Sequence, residues 1–322
     1  MRLLLPLLLA AATASAQVPR DGARDFDFEI GRWHAHLARL LHPLTHSNMW
    51  TTYDGTSITR AVWGGSANLS ELEVDDTAGT HIEGMSLRLY DSTAHQWRIH
   101  WANARDGALG PAMVGGFLPD GHGEFYDQED FNGKPVFVRF IFSEMKQRSF
   151  KIEQAFSPDG GKTWETNWIS TFTRDADQTA PPEGARAAAR SQDFDFEEGT
   201  WAMSDGSTHI MRRVWNGRAY LGELQRKNGD FAGSLIHTYN PDTHHWSLYW
   251  ADRRSGRLGT PMLGSVADGF YDQEDIHGVT ALVRVVYSGV TPTSFHTEQS
   301  HSTDGGTTWQ ADGAYSFTKK AP

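Results

Sequence analysis

The feature that most constrains the fold of this chain is an internal duplication. The pattern Asp-Phe-Asp-Phe-Glu-x-Gly-x-Trp that begins at Asp25 begins again at Asp193. The pentapeptide Tyr-Asp-Gln-Glu-Asp also occurs twice, at residues 126–130 and 271–275. Matches in the same order along the chain indicate two copies of one domain. We predict copies at residues 25–174 and 191–322, joined by a Pro- and Ala-containing linker at 175–190.

The two copies differ in length near their beginnings. In the first copy 30 positions separate Trp33 from Trp63, whereas 14 separate the matching Trp201 from Trp215. The first copy therefore carries 16 additional residues. A segment of that length predicts either one strand with a loop or a loop with a short helical lid. We expect the longer first copy to be the functional one.

Hydrophobic alternation within each copy predicts strands. Trp97, Ile99 and Trp101 alternate with polar residues, which is the period of a strand with one buried face. The tetrapeptide 91–94 before this segment is rich in turn residues and predicts a hairpin. About eight such antiparallel strands leave no exposed edge when the sheet closes. We predict an all-β fold of two tandem antiparallel β-barrels.

Each copy also contains one Ser-x-Asp-x-Gly-x-Thr-Trp segment, ending at Trp164 and at Trp309. The segment matches the Asp box, a hairpin turn familiar from sialidase propellers. A propeller would repeat it about every 40 to 50 residues, whereas here the two lie 145 residues apart. The segment therefore predicts a structural turn rather than a glycan-cleaving propeller.

The first residues have the three-part pattern of a secretory signal peptide. Arg2 precedes the apolar run 3–12, and small residues follow up to a predicted cleavage after Ala16, so residues 1–16 are the predicted signal segment. The apolar run is too short for a membrane span, which needs about 20 residues. We therefore predict a periplasmic or secreted protein with no transmembrane segment.

Composition excludes several classes of site and partner. The sequence contains no cysteine, which excludes disulfides, thiolate metal sites and a cysteine nucleophile. Its formal net charge of −11 argues against nucleic acid as a partner, because nucleic acid requires a concentrated basic surface.

Several segments together resemble an uncharacterised bacterial lipocalin-like family of the calycin type. They are the start Phe-Asp-Phe-x-x-Gly-x-Trp, the segment Val62-Trp63-Gly64-Gly65, the hairpin from Leu87 to Trp101, and the stretch from Phe156 to Trp168. The resemblance spans nearly all of both copies. It implies a lipocalin-like barrel for each copy, and it implies no established reaction or catalytic residue.

The aromatic content indicates a use for the barrel interior. The chain has 12 Trp and 17 Phe, and such side chains often line a cavity for a small hydrophobic or aromatic molecule. We therefore predict an exported binding protein that holds its ligand in the first barrel, through Trp33, Trp63, Trp97, Trp101 and Arg139. The alternative is that the aromatic side chains fill the barrels and leave no cavity.

Polar residues present in both copies support a second hypothesis. Glu71, Tyr126, Asp130 and Arg139 have counterparts in the second copy. They include groups suited to acid–base isomerisation, hydration or cyclisation of a lipophilic substrate. Duplicated polar residues more often serve a salt bridge or a turn, however. A third hypothesis is an interaction module of the cell envelope.

Histidines are concentrated near the additional segment of the first copy. His34 and His36 would share one face of a strand, and imidazole is a good ligand for Zn²⁺, Cu²⁺ or iron. The pattern lacks a third ligand at a recognised spacing. A metal site at His34 and His36 therefore stays a hypothesis, and no cofactor is predicted.

Overall fold

The computed structural model describes residues 21–176, 191–252 and 254–321. The predicted signal segment 1–16 and the predicted linker from residue 177 onward lie outside these ranges. Within them the chain forms strands, short 3₁₀ turns and loops. No helix in the described ranges is long and apolar enough to cross a membrane.

Ten antiparallel strands close into the first barrel. Each strand pairs with the next along the chain, and the last pairs with the first. The strands are β1 (Gly31–Leu40), β2 (Trp50–Val62), β3 (Ala67–Asp75), β4 (His81–Asp91), β5 (Gln96–Asn103), β6 (Met113–Phe117), β7 (Gly123–Phe131), β8 (Lys134–Lys146), β9 (Ser149–Ser157) and β10 (Glu165–Arg174). The period of two is clear in β1, where Trp33, Ala35 and Leu37 are buried inside while His34 and His36 between them are exposed.

The second copy closes in the same way. Ten of its strands form a ring, and the two-residue strand β16 pairs with β15 beside it. The strands are β11 (Gly199–Met203), β12 (Thr208–Val214), β13 (Ala219–Gln225), β14 (Phe231–Asn240), β15 (His245–Asp252), β16 (Arg257–Leu258), β17 (Met262–Ser265), β18 (Gly269–Ile276), β19 (Val279–Ser288), β20 (Ser294–Ser302) and β21 (Gln310–Lys319).

The prediction of two tandem antiparallel barrels is confirmed. Each ring has ten strands rather than the expected eight. One reason is that short glycine-containing segments such as Met113–Phe117, which have low strand propensity, also pair into the ring.

A 3₁₀ turn closes one end of each barrel, at Asp27–Glu29 in the first copy and Asp195–Glu197 in the second. Phe26, just before the first turn, packs edge-on against Trp97 and Phe142, with ring centroids 5.0 and 5.2 Å away. The Asp-Phe-Asp-Phe-Glu start of each copy is therefore the plug of its barrel.

The 16 additional residues of the first copy lengthen an existing hairpin. β1 and β2 stay in register to the end of β1, and the Leu41 N–H donates to the Met49 carbonyl. The Leu44 N–H donates to the Glu165 carboxylate on β10. The added residues are therefore strand and loop, as one of the two predicted alternatives has it, and they lengthen β1 and β2. The alternative of a short helical lid is wrong, because continuing the β1–β2 ladder satisfies the backbone of the segment.

The barrels pack against each other through the outer faces of β3–β5 and β13–β15. The buried apolar cluster between them draws matching residues from the two copies, such as Leu69 and Leu221, Leu87 and Ile236, and Ala102 and Ala251. Equivalent positions therefore meet across an approximate twofold axis. Outward apolar side chains that a lone barrel would expose are buried by this contact.

The two barrels lie antiparallel, so the plugged end of each is beside the opposite end of the other. Gly107 in the β5–β6 loop abuts Tyr239 at the end of β14, and Gly256 in the second barrel abuts Tyr90. Both glycines have positive φ, 63° and 59°. A Cβ at Gly107 would lie 2.0 Å from the Tyr239 carbonyl oxygen, so only glycine allows this approach.

Replacing Gly107 with alanine is expected to weaken the contact between the barrels. Gly79 is the matched control, because it also has positive φ (85°) but a Cβ there would have nothing within 4 Å. Left-handed backbone costs either alanine about 1 kcal/mol. The clash at Gly107→Ala should lower the free energy of unfolding by about 2 kcal/mol more than Gly79→Ala does. Urea unfolding measures both variants, and equal losses would contradict this interface.

Candidate functional site

A cavity of about 580 Å³ occupies the interior of the first barrel above the plug. This volume lies within the range of about 300 to 1,000 Å³ typical of small-molecule sites. Much of its wall is apolar and includes Leu72, Ile99, Phe140, Ile152 and Phe172. The aromatic side chains thus fill the plugged end of the first barrel and leave space above it.

The floor of the cavity is a buried ion pair. Arg88 donates through Nη1 to Glu29 Oε2 at 2.5 Å and through Nη2 to Oε1 at 2.9 Å, and the two side chains are 4% and 1% exposed. The guanidinium lies over the Phe26 ring, 4.6 Å from its centroid. Two charge-assisted hydrogen bonds offset much of the cost of burying these charges. The pair ties the plug to β4.

Hydroxyl groups line the wall beside this pair. Ser57, Ser70 and Ser86 lie on the neighbouring strands β2, β3 and β4 and face the cavity. The Ser57 and Ser70 Oγ atoms are 3.3 Å apart. Ser86 Oγ and Arg88 Nε are buried and have no hydrogen-bond partner among the residues that the structure describes. Buried polar atoms are nearly always paired, so these two atoms are exceptions among the groups beside the cavity.

Trp101 lies at the mouth of the cavity, opposite the plug. It lines the cavity and is 40% exposed. A Cβ on Gly84 of β4 would lie 2.0 Å from the Trp101 ring, so glycine at this position allows the indole to rest against the strand. Leu40, Leu41 and Pro43, at the end of β1 and in the lengthened hairpin, complete this side of the mouth.

The β5–β6 loop forms the other side of the mouth, where Asp106 and Ala108 line the cavity. The second barrel holds this loop. Its Tyr249 hydroxyl accepts a hydrogen bond from the Leu109 N–H at 3.1 Å, and the loop also abuts Tyr239 through Gly107. The position of the mouth therefore depends on contacts made by the second barrel.

The acidic run of β7 is divided between two faces of the strand. Asp127 and Glu129 share the inward face with the buried Phe125, and Glu129 lines the mouth of the cavity. Burial raises the pKa of both carboxyls, and the charge of Asp127 raises the pKa of Glu129 further. Neither is in the final set of site residues predicted from sequence, although alternation from Phe125 assigns both to the inward face.

Among the five side chains predicted to bind a ligand, Trp101 alone lines the cavity. Trp33 and Trp97 are buried around the plug, where their indole N–H groups donate to backbone carbonyls. Trp63 belongs to the apolar cluster between the barrels. Arg139 lies on the outer face of β8, beside inward-facing residues that are buried.

The four residues proposed for acid–base chemistry do not come together in the cavity. Glu71 lies on the outer face of β3, where it pairs with Arg60 at 2.9 Å and accepts from the Trp215 N–H of the second barrel at 2.9 Å. Asp130 accepts from the Gly133 N–H in the β7–β8 turn at 2.8 Å. Their roles in catalysis stay a hypothesis from the sequence.

Tyr126 and Arg139 are register partners on the outer face of the first barrel. Arg139 covers the ring of Trp164 at 4.6 Å from its centroid, and the Tyr126 ring lies 6.3 Å from the same ring. In the second copy Arg284 covers Trp309 in the same way, at 4.1 Å. These side chains anchor the Asp-box turn to the barrel, which accounts for their presence in both copies.

The Asp-box turn itself is held by one carboxylate. Asp159 accepts hydrogen bonds from the backbone N–H and the hydroxyl of Thr163, at 2.9 and 2.7 Å. These bonds are the main reason that the pKa of Asp159 falls to about 2. The segment is a turn in both copies, as its sequence predicts.

His34 and His36 share the outward face of β1. His36 Nδ1 lies 2.9 Å from Asp54 Oδ1, and His34 Nε2 lies 3.6 Å from the same oxygen. In the part of the chain that the structure describes, no three His, Asp or Glu side chains are grouped to hold a metal ion. The metal site at His34 and His36 stays a prediction.

The second barrel has a different floor. His237 and His209 occupy the positions that Arg88 and Ser57 have in the first. Glu197 Oε1 lies 3.0 Å from His209 Nε2, and Glu197 Oε2 lies 3.9 Å from His237 Nδ1. Burial lowers the pKa of His237 to about 4. This cluster is titratable, whereas an arginine floor is not.

The stability of the second barrel is expected to fall in mild acid. The pKa of His237 is about 4 in the folded chain and about 6.5 in an unfolded one. Between these two pH values the unfolded chain binds more protons than the folded chain. The contribution of neutral His237 to the free energy of unfolding is therefore complete above pH 6.5 and falls by about 2 kcal/mol at pH 5. Urea unfolding at pH 7 and pH 5 measures this loss. It should shrink in His237→Asn and persist in His245→Asn, an exposed control, and an unchanged loss in His237→Asn would refute it.

Comparisons with known proteins give distant likenesses. No protein-family profile and no curated protein matches the chain. The S-type phycobiliprotein lyase CPES of Guillardia theta is 11% identical over 49% of this chain and 95% of its own, with a TM-score of 0.38. A protein of the DUF3598 family from Nostoc punctiforme is 8% identical over 94% of this chain and 100% of its own, with a TM-score of 0.28. These likenesses carry no argument about function, and membership of the lipocalin-like family stays a prediction.

Proposed function

We propose that this chain is an exported binding protein for a small, mostly apolar molecule that it holds in the first barrel. The observation that carries the proposal is the cavity of about 580 Å³, which has an apolar wall and a mouth at Trp101. A cavity of this kind supports ligand binding over a purely structural interaction module. The signal-peptide pattern of residues 1–16 supports export to the periplasm or the medium.

Differences between the copies support the first barrel as the binding one. Leu235 and Gly222 stand in the second barrel where the first has Ser86 and Ser70, so the hydroxyl-lined wall belongs to the first copy. The lengthened hairpin at the mouth is also a feature of the first copy. The second barrel contributes by holding the β5–β6 loop, which supports a positioning role for it.

Titration with the neutral dye N-phenyl-1-naphthylamine, which fluoresces in apolar surroundings, tests the proposal. We expect saturable binding of one dye per chain. Trp101→Ala should weaken binding about tenfold, because an aromatic wall of the mouth is lost. The matched control is Trp250→Ala, since Trp250 is the equivalent residue of the second barrel and is similarly exposed, at 45%.

A second variant fills the cavity instead of opening it. Ile152 lines the cavity, so Ile152→Trp should occupy the space and abolish dye binding while the thermal unfolding temperature stays close to that of the parent chain. Dye binding that survives Ile152→Trp, or that responds equally to Trp101→Ala and Trp250→Ala, would place the ligand elsewhere and refute the proposal.

A further inference from the structure

We infer that the ligand is an electrically neutral molecule that directs a hydrogen-bond acceptor, such as an amide or ester carbonyl, toward Ser86 and Arg88. The inference rests on the proposed function, because it assigns the chemical class of the ligand in the same cavity.

The two unpartnered atoms at the inner end act as donors. Ser86 and Arg88 are two residues apart on β4, so their side chains point into the barrel from the same face. Both residues are buried, and within the described part of the chain neither Ser86 Oγ nor Arg88 Nε has a hydrogen-bond partner. Arginine Nε can only donate, and a serine hydroxyl can turn its hydrogen toward the same point. Both side chains therefore present donors from the face of β4 that lines the cavity.

Glu29 balances the positive charge of Arg88. Its two terminal nitrogens donate to Glu29, so the ion pair has no net charge, and the Nε–H of the guanidinium remains as a donor. The other charged side chains that line the cavity are Arg39, Asp106 and Glu129. Together with the floor pair, the described residues of the lining include two arginines and three carboxylates. An anionic ligand would lose its hydration here without an excess of positive charge to replace it.

The mouth also disfavours a negative charge. Glu129 lies there, and Asp127 shares the same face of β7. A negatively charged group of a ligand would be repelled by these carboxylates at this end of the cavity. The walls between the two ends are apolar, with Phe140, Ile152 and Phe172 facing the space. These surfaces therefore match a ligand that has an apolar body and a hydrogen-bond acceptor at one end.

Competition between two ligands of equal chain length tests the charge. Decanamide and decanoate have the same apolar body, but at pH 7.5 the amide is neutral and the carboxylate is charged. Each is titrated against N-phenyl-1-naphthylamine bound to the full chain. We expect decanamide to displace the dye at a concentration at least tenfold lower than decanoate. Equal displacement, or better displacement by decanoate, would overturn the inference.

A pair of serine variants tests the donor. Ser86→Ala removes an unpartnered hydroxyl and should weaken decanamide about tenfold more than it weakens the dye, which has no carbonyl acceptor. Ser170→Ala is the matched control, because Ser170 lines the same cavity but its oxygen already accepts from the Trp168 indole at 2.8 Å. Equal effects of the two substitutions on decanamide would overturn the role of Ser86.

Glu29→Gln tests the charge balance directly. Without the carboxylate, Arg88 has an unneutralised charge at the floor, and the preference should shift toward decanoate by at least tenfold. A folded variant with unchanged preference would count against the inference, and if the variant does not fold, the serine pair decides. Failure of the proposed function looks different: the parent chain would not bind the dye, or Ile152→Trp would bind it normally.

Discussion

The buried contact between Glu29 and Arg88 is the interaction on which the rest of the first barrel depends. It fixes the 3₁₀ plug to β4 with two charge-assisted hydrogen bonds. The aromatic residues around Phe26 therefore occupy only one end of the barrel interior. The space above this level remains open as a cavity. Because the pair is neutral as a whole, it closes the barrel without creating a charged binding site. What it leaves for a ligand is one N–H of Arg88, beside the hydroxyl of Ser86.

The duplication produced two barrels that pack against each other, and through this contact the second barrel positions part of the entrance to the first. Equivalent outer faces pack together in antiparallel orientation, which brings the second barrel against the mouth loop of the first. Tyr249 and Tyr239 hold that loop near Leu109 and Gly107. The second barrel has a floor of Glu197 and two histidines in place of the arginine pair. One copy thus carries the cavity, and the other positions part of its entrance.

The sequence predicted features that depend on neighbouring residues, such as strands and turns, and did not predict contacts between residues far apart in the chain. Alternation around Trp97 and the turn residues after Asp91 predicted the hairpins correctly, because strand period and turn chemistry are local. The plug was not predicted, since a single turn such as Asp27–Glu29 has no periodicity, and its partner Arg88 is 59 residues away. Alternation from Phe125 predicts that Asp127 and Glu129 face inward. The catalytic residues predicted on β7, Tyr126 and Asp130, lie on its other face. Trp33, Trp63 and Trp97 were expected in the cavity because hydrophobicity alone does not distinguish a plug, an interface and a cavity wall.

The central claim is that one of the two barrels binds a neutral small molecule. Native mass spectrometry of the full chain with excess decanamide tests it most directly, because it counts bound molecules for each protein molecule. The account predicts one decanamide per chain in the parent protein, one in Trp250→Ala and none in Ile152→Trp. Two molecules per chain, no bound molecule in the parent protein, or undiminished binding in Ile152→Trp would contradict it.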